Sequence, residues 1–249
     1  MSASLPTIGR MRNLTLFIDD GGVLNDNSRR GPEFMRLVAE FFPPRLGGEP
    51  EVWAEANRAT FQGVFDAHKD AMAVVDAYHQ EVVAYETAWL TAMCEGVGVA
   101  APPGDDCAAL AREALLYITR RTRAAFPGAA ETVATLAGAG YTLHTASNQP
   151  SWELDGYLSG MGILDHFGIL FGADLVNAMK PSRTYYERAF VLAGVDPARA
   201  LVLDDDSGYL DAARAVGART ILVGVDASAA DHPSIPSLVA LPTFLEART

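Results

Sequence analysis

The sequence predicts an α/β protein with a Rossmann-like core, in which a parallel sheet carries helices on both faces and an all-helical cap is inserted. Three observations predict this fold. A short apolar run at residues 14–18 ends in acidic residues, strand and helix patterns alternate after residue 128, and the segment 29–123 has helical patterns only. Strands that alternate with helices form a parallel sheet with both faces covered.

The first predicted strand ends in carboxylates. Residues 14–18 are apolar and β-prone, and Asp19, Asp20, Gly21 and Gly22 follow them at once. This pattern is typical of a buried strand that leads into a loop. The loop therefore receives two acidic side chains at the carboxyl end of the strand.

A helical segment follows the first strand. Apolar side chains recur at helical spacing, and Pro-Pro and Gly-Gly pairs interrupt the pattern. We expect helices at 53–68, 74–93 and 107–124. Because this block separates the first strand from the other strands, we expect a core domain made of 1–28 and 124–249, and a cap domain made of 29–123.

The last part of the chain alternates between the two element types. Gly140 ends one helical pattern, and short β-prone runs recur between the others. The predicted helices are 129–139, 152–159, 185–193 and 209–216, and the predicted strands are 141–146, 169–171, 200–203 and 220–223.

Composition excludes several classes of function. The formal net charge of −12 disfavours nucleic acid, which needs a positive protein surface. Residues 1–13 hold no apolar run long enough for a signal peptide, and no later segment reaches the roughly 20 apolar residues of a membrane span. The two isolated cysteines, Cys94 and Cys107, predict neither a disulfide framework nor a zinc site. We therefore expect a cytoplasmic protein without membrane or nucleic-acid partners, and a homodimer is left open.

Chemically reactive residues follow the predicted strands. Asp19 follows the first, Ser147 and Asn148 follow the second, and Asp204 and Asp205 follow the fourth, while Lys180 precedes a proline in a loop between them. In open α/β sheets ligands bind at the carboxyl ends of the strands. Carboxylates there can hold a divalent cation, and a lysine and a hydroxyl can hold phosphoryl oxygens.

Four segments carry a resemblance to a known family. Residues 17–24, 145–148, 180–181 and 203–207 are similar, in order, to the four motifs of the haloacid dehalogenase-like (HAD) superfamily. A single such motif occurs by chance in many chains, whereas four in the same order at strand ends are specific. The resemblance implies a hydrolase whose helical insertion is a cap that covers the site and selects the substrate.

The resemblance also implies a role for each residue. Asp19 is expected to be the nucleophile that forms an aspartyl-phosphate, and Lys180 is expected to pair with it and with the phosphoryl group. Ser147 and Asn148 are expected to bind the substrate. The Mg²⁺ ligands are expected to be Asp19, the Gly21 carbonyl, Asp204 and Asp205. The function predicted in this way is Mg²⁺-dependent hydrolysis of a small phosphate ester.

One position departs from the pattern of the family's phosphatases. They carry a second aspartate, the general acid and base, two residues after the nucleophile, where this chain has Gly21. Three explanations stay open: another group supplies the proton (Asp20, Asp26, His68, Lys69 or His79), the leaving group needs no proton, or the protein is a slow phosphatase or a binding protein. We expect Gly21→Asp to raise a phosphatase rate.

Two other functions compete with the phosphatase hypothesis. Cleavage of a carbon–phosphorus or carbon–halogen bond needs no aspartate at position 21, and phosphonate-cleaving relatives use a cap lysine, for which Lys69 is the candidate. Dehalogenase relatives work without metal and lack the acidic pair, so Asp204 and Asp205 count against dehalogenation. A non-catalytic phosphate-binding protein is the other competing function.

Overall fold

The computed structural model describes residues 14–224 and 231–247. The expectation that residues 1–13 are no signal peptide lies outside the described residues. The strands are β1 Thr15–Ile18, β2 Thr142–Ala146, β3 Phe167–Phe171, β4 Ala200–Asp204, β5 Arg219–Val223 and β6 Ser234–Ile235. The helices are α1 Asn27–Phe41, α2 Pro43–Leu46, α3 Pro50–Met72, α4 Tyr78–Val97, α5 Gly104–Arg121, α6 Ala129–Gly138, α7 Ser151–Met161, α8 Ala173–Val176, α9 Arg183–Ala193, α10 Ser207–Ala215 and α11 Leu241–Glu246.

The strands form one parallel sheet with the order β3-β2-β1-β4-β5-β6. The first strand is therefore central, and Ile18 at its end lies level with Thr145 on one side and Leu203 on the other. This register brings the loops after β1, β2 and β4 to the same edge of the sheet. The predicted parallel sheet is confirmed, while the two-residue β6 and the short helices α2, α8 and α11 were not predicted.

Both faces of the sheet are covered, as predicted. Successive side chains of a strand point to opposite faces. Leu16 and Ile18 accordingly join a core cluster with α6 and α11, whereas Phe17 joins a second cluster with α9 and α10. All three side chains are fully buried, so β1 and the acidic loop after it are fixed from both sides.

Helices α1 to α5 lie between β1 and β2 in the chain and form the helical insertion, residues 27–121. They share a core of their own, in which Phe42 stacks on Trp53 at a ring-centroid distance of 4.7 Å. Cys94 and Cys107 are free thiols in this core. Helix α5 packs along α7, which joins the insertion to the sheet domain. The division into a core of 1–28 and 124–249 and a cap of 29–123 stays a prediction.

The helix boundaries differ from the predicted ones where capping or a turn decides them. Helix α1 begins at Asn27 because Asp26 accepts a hydrogen bond from the Ser28 amide and caps the helix. Helix α4 begins at Tyr78, four residues later than expected, since a turn containing Asp76 at φ 70° separates it from α3. In the described ranges, no helix is both long and apolar enough to cross a bilayer.

Candidate active site

Lys180 connects the residues at the centre of the site. Its Nζ donates to Asp19 Oδ1 at 2.9 Å, to Asp204 Oδ2 at 2.7 Å and to the Ala146 carbonyl at 2.8 Å. One ammonium group thus contacts the carboxyl ends of β1, β2 and β4. Burial opposes the charged form of Lys180, but Asp19 and Asp204 outweigh it and raise the Lys180 pKa above its usual value.

The loop that carries Lys180 is held by Asn148. The Asn148 side chain accepts a hydrogen bond from the Lys180 amide at 2.6 Å and donates to the Lys180 carbonyl at 3.3 Å. Tyr185 adds a bond from its hydroxyl to the Ser147 carbonyl at 3.1 Å. Asn148 therefore fixes the backbone of Lys180, while its expected contact with the substrate stays a prediction.

Asp204 and Asp205 lie close to Asp19. Asp204 is fully buried and also accepts a hydrogen bond from the Asp206 amide at 2.9 Å. One oxygen each of Asp19, Asp204 and Asp205 lies within 4.8 Å of the others. Burial, and then the neighbouring Asp19, raise the pKa of Asp204 to about 7, although Lys180 acts in the opposite direction.

Gly22 makes room for this cluster. Its φ of +87° is in the left-handed region that favours glycine, and a Cβ atom on it would lie 1.9 Å from Asp205 Oδ2. A side chain at position 22 is therefore incompatible with the observed position of the Asp205 carboxylate. The glycine after the predicted metal ligand has a steric reason that the sequence alone did not reveal.

Ser147 lies directly after β2, next to the Asp19 loop. The residue is buried, and its amide donates to the Phe171 carbonyl at 3.0 Å, which continues the ladder to β3. When the amide of Gln149 is oriented to satisfy both of its ends, its nitrogen donates to Ser147 Oγ at 3.1 Å. Gln149 is a residue of this edge that the sequence analysis did not select.

The sequence comparisons decide the family. Residues 15–217 match the family described as haloacid dehalogenase-like hydrolase. The chain belongs to this family. It is a hydrolase of the HAD type, and the family resemblance of the four segments is confirmed.

Three relatives of this HAD-like hydrolase are informative. It is 30% identical over 98 residues to a phosphoglycolate phosphatase from Mesorhizobium japonicum, a match that covers 39% of this chain and 43% of that protein. It is 31% identical over 96 residues to a probable phosphatase, IndB, from Dickeya dadantii, with 39% and 42% covered. A plasmid-encoded phosphoglycolate phosphatase from Cupriavidus necator is 30% identical over 132 residues, with 50% and 57% covered. The chain thus spans about half the length of the curated relatives it matches.

Solved structures share the fold of the HAD-like hydrolase over almost its whole length. A defluorinating L-2-haloacid dehalogenase superposes with a TM-score of 0.66 at 20% identity, covering 97% of this chain and 98% of the other. The putative HAD-hydrolase YfnB from Bacillus subtilis, described as bound to magnesium, has a TM-score of 0.66 at 18% identity, with 94% and 99% covered. At these identities the likeness shows the fold alone.

The position of the missing acid in this HAD-like hydrolase is filled by a residue that the sequence analysis missed. A Cβ atom on Gly21 would lie 2.8 Å from Arg30 Nη2 and 3.0 Å from Asn27 Oδ1. Arg30 forms an ion pair with the fully buried Asp20 at 2.7 Å. The Asp26 cap was the available signal, because it predicts a helix start that puts Arg30 in the first turn, next to the acidic loop.

The residues proposed as substitute proton donors make other contacts. Asp20 accepts hydrogen bonds from Asn25 at 2.6 Å and from Arg30, and Asp26 caps α1. In the helical insertion, Lys69 is exposed and paired with Asp66 at 2.8 Å. The His68 ring packs against Tyr85, and the His79 amide donates to the Asn177 side chain at 3.2 Å.

Proposed function

We propose that this HAD-like hydrolase is a Mg²⁺-dependent phosphohydrolase that acts on a small phosphorylated molecule through an aspartyl-phosphate on Asp19. The observation that carries the proposal is the contact of one buried ammonium group, Lys180, with the carboxylates of Asp19 and Asp204. This arrangement gives a nucleophile, a cation beside it and an acidic cluster in one place. The partial matches to proteins named as phosphatases support the same chemistry.

The donor set fits a hard divalent cation. Three carboxylates, those of Asp19, Asp204 and Asp205, meet at one point, and Lys180 compensates one of their three charges. Carboxylate oxygens are the ligands that Mg²⁺ prefers. We propose Asp19, Asp204, Asp205 and the Gly21 carbonyl as the ligands. When bound, the ion offsets the repulsion between the attacking carboxylate and an anionic substrate and polarises the phosphoryl oxygens.

Each residue of the site has a separate role in the proposed reaction. Lys180 orients Asp19, because its ammonium group donates a hydrogen bond to Asp19 Oδ1 at 2.9 Å. The Ser147 hydroxyl and the Lys180 ammonium hold the phosphoryl oxygens, with Asn148 fixing the loop that presents the lysine. The helical insertion serves as a cap that excludes water and selects the substrate.

The proposal is tested with a panel of phosphate compounds, assayed for release of inorganic phosphate. We expect turnover by the wild type with Mg²⁺, none after EDTA treatment, and recovery when Mg²⁺ is added back. Asp19→Asn is expected to be inactive, and Asp165→Asn, which changes an exposed aspartate, serves as the matched control. An Asp19→Asn protein that retains the wild-type rate would disprove the mechanism.

Carbon–halogen hydrolysis is the second candidate. The observation in its favour is Gly21, since a halide leaves as an anion and needs no proton donor. The observation against it is the acidic cluster, which has no use in a reaction without metal. Including 2-haloacids in the panel, with and without EDTA, separates the two: halide release that survives EDTA would favour dehalogenation.

A further inference from the structure

Gly21 and Arg30 together occupy the place where a general acid would stand. A side chain at position 21 would have to enter the space of the Arg30 guanidinium, whose Nη2 lies 2.8 Å from the Cβ position. The glycine therefore does more than omit a carboxylate. It lets a cation approach the backbone of the loop that carries the nucleophile.

The guanidinium is held firmly in this position. Nη1 donates to Asp20 Oδ2 at 2.7 Å, and Nη2 donates to Asn27 Oδ1 at 2.6 Å. The Gln149 oxygen accepts from both nitrogens, at 2.9 and 3.3 Å. The ring of Tyr157 lies against the guanidinium at 5.4 Å, and the Arg30 side chain is only 18% exposed. An arginine fixed by this many partners loses little freedom when it acts on a substrate.

Arg30 is linked by hydrogen bonds to the loop of Asp19 and to the loop of Ser147. Its ion-pair partner Asp20 is the neighbour of Asp19 in the chain, and its hydrogen-bond partner Gln149 also donates to Ser147 Oγ. Asp19 is among the acids that raise the Arg30 pKa against the effect of burial, after Asp20 and Tyr157. The cation thus lies between the loop of the nucleophile and the loop of the proposed phosphoryl ligand.

We propose that Arg30 contacts the leaving-group oxygen and stabilises its negative charge, so that the enzyme acts on phosphorylated compounds whose leaving group departs as an anion. Acyl phosphates, phosphoanhydrides and aryl or enol phosphates belong to this class, whereas simple alkyl phosphates do not. The inference rests on the proposed phosphohydrolase function, since it specifies the substrate of that same site.

The bond changes balance without a proton donor. An Asp19 oxygen bonds to phosphorus, the bond from phosphorus to the leaving oxygen breaks, and its electron pair stays on that oxygen beside Arg30. Water then attacks the aspartyl-phosphate, the bond between phosphorus and the Asp19 oxygen breaks, and both protons of the water stay with the released phosphate. The second step also expels a carboxylate, which is itself a stable anion.

A structural function of Arg30 is the competing explanation. Arg30 neutralises Asp20, which is fully buried, so its loss could disturb the loop and reduce all rates alike. A residue that stabilises the leaving oxygen behaves differently. Its removal lowers kcat/KM most for the poorest leaving groups, because their oxygen carries the most negative charge.

The experiment compares kcat/KM for acetyl phosphate, pyrophosphate, a series of substituted phenyl phosphates and glycerol 3-phosphate. The proteins are the wild type, Arg30→Met, the charge-matched double variant Asp20→Asn/Arg30→Met, and Arg29→Met. The double variant leaves no unpaired buried carboxylate, so it keeps the test valid if Arg30→Met fails to fold. Arg29 is the matched control, because it is the neighbouring arginine, it is exposed, and its side chain donates to the Ala125 carbonyl at 3.0 Å.

We expect the wild type to hydrolyse acetyl phosphate at least about 100-fold faster than glycerol 3-phosphate, because a positioned proton donor contributes about 10²–10⁴-fold for poor leaving groups. In both Arg30 variants we expect losses of about 10²–10³-fold for the phenyl phosphates with the least acidic phenols, the range for removal of one charge-stabilising donor. The loss of kcat/KM should become steadily smaller as the phenol becomes more acidic. The kcat/KM values of Arg29→Met should equal those of the wild type.

Two results would overturn this inference and leave the proposed function standing. One is Asp19-dependent hydrolysis of glycerol 3-phosphate with a kcat/KM within about tenfold of that for acetyl phosphate, because a missing proton donor costs more than this. The other is an equal loss of kcat/KM in the Arg30 variants across the whole phenol series. Failure of the wild type to hydrolyse any of the compounds, or wild-type activity in Asp19→Asn, overturns the proposed function and this inference with it.

The same geometry reverses the sequence-based expectation for Gly21→Asp. A carboxylate at position 21 would meet the Arg30 guanidinium and pair with it, and an aspartate next to a cation has a lowered pKa. We therefore expect Gly21→Asp alone to leave glycerol 3-phosphate hydrolysis no faster, and Gly21→Asp/Arg30→Ala to accelerate it. A faster Gly21→Asp single variant would show that the guanidinium does not hold this place.

Discussion

Replacing Lys180 by Met removes the one ammonium group that contacts both Asp19 and Asp204 among the described residues. Methionine fills much of the same volume, so the main loss is electrostatic. Three hydrogen bonds of 2.7–2.9 Å disappear, and Asp204, which is fully buried, loses its cation. Removing one partner of a buried pair costs about 3–5 kcal/mol. We expect the free energy of unfolding, measured without metal at pH 7, to fall by that amount.

The pH dependence of this variant has a definite sign. Without Lys180, burial and Asp19 raise the pKa of Asp204 without opposition, so the folded protein holds a proton that the unfolded chain has released. The stability of Lys180→Met should therefore fall as the pH rises from about 4, the ordinary aspartate pKa, and should continue to fall above pH 7, where the wild-type Asp204 has already lost its proton. Excess Mg²⁺ should restore about 2.7 kcal/mol at a concentration 100 times its dissociation constant.

The assay is urea unfolding followed by tryptophan fluorescence at pH 5, pH 7 and pH 9, with and without Mg²⁺. Lys69→Met is the matched control, because the only other lysine of the chain is exposed and pairs with Asp66 on its own helix. An exposed pair contributes about 0–1 kcal/mol, so the control should stay close to the wild type. Equal losses in the two variants, or a Lys180→Met loss that neither pH nor Mg²⁺ changes, would refute the electrostatic reasoning.

Three further predictions concern single residues. Gly22→Ala should weaken Mg²⁺ binding about 10–100-fold in isothermal titration calorimetry, because its Cβ would displace Asp205; unchanged affinity would argue against Asp205 as a ligand. Asn148→Ala should lower kcat by up to about 100-fold through displacement of Lys180, with far-ultraviolet circular dichroism unchanged. Full activity would show that the loop of Lys180 keeps its position without Asn148. Burial, and then Glu86, raise the pKa of Glu153 to about 8, so its carboxylate destabilises the fold increasingly from about pH 4.5 to pH 8. Between pH 5 and 8 the urea midpoint should therefore fall more in the wild type than in Glu153→Gln, and parallel curves would contradict the shift.

The sheet and most of the site could be predicted because both depend on local pattern and on strand polarity. Apolar runs predicted where strands lie, and parallel strands bring their carboxyl ends to one edge. Asp19, Lys180 and Asp204 are accordingly in contact, as expected from three segments that are far apart in the chain. The exact helix ends were less predictable, since a cap at Asp26 and a turn at Asp76 decide them.

The sequence by itself determined the acidic residue after the central strand, the lysine that pairs with it and the absence of a second aspartate at Gly21. Only the tertiary structure decided what stands in that place. Arg30 belongs to the helical insertion, and its distance from Gly21 depends on how α1 leaves the acidic loop and on the hydrogen bonds that Arg30 donates to Asp20, Asn27 and Gln149. The Asp26 cap indicates where α1 begins, but the bond to Gln149 joins separate parts of the chain, so no local pattern fixes the position of the guanidinium.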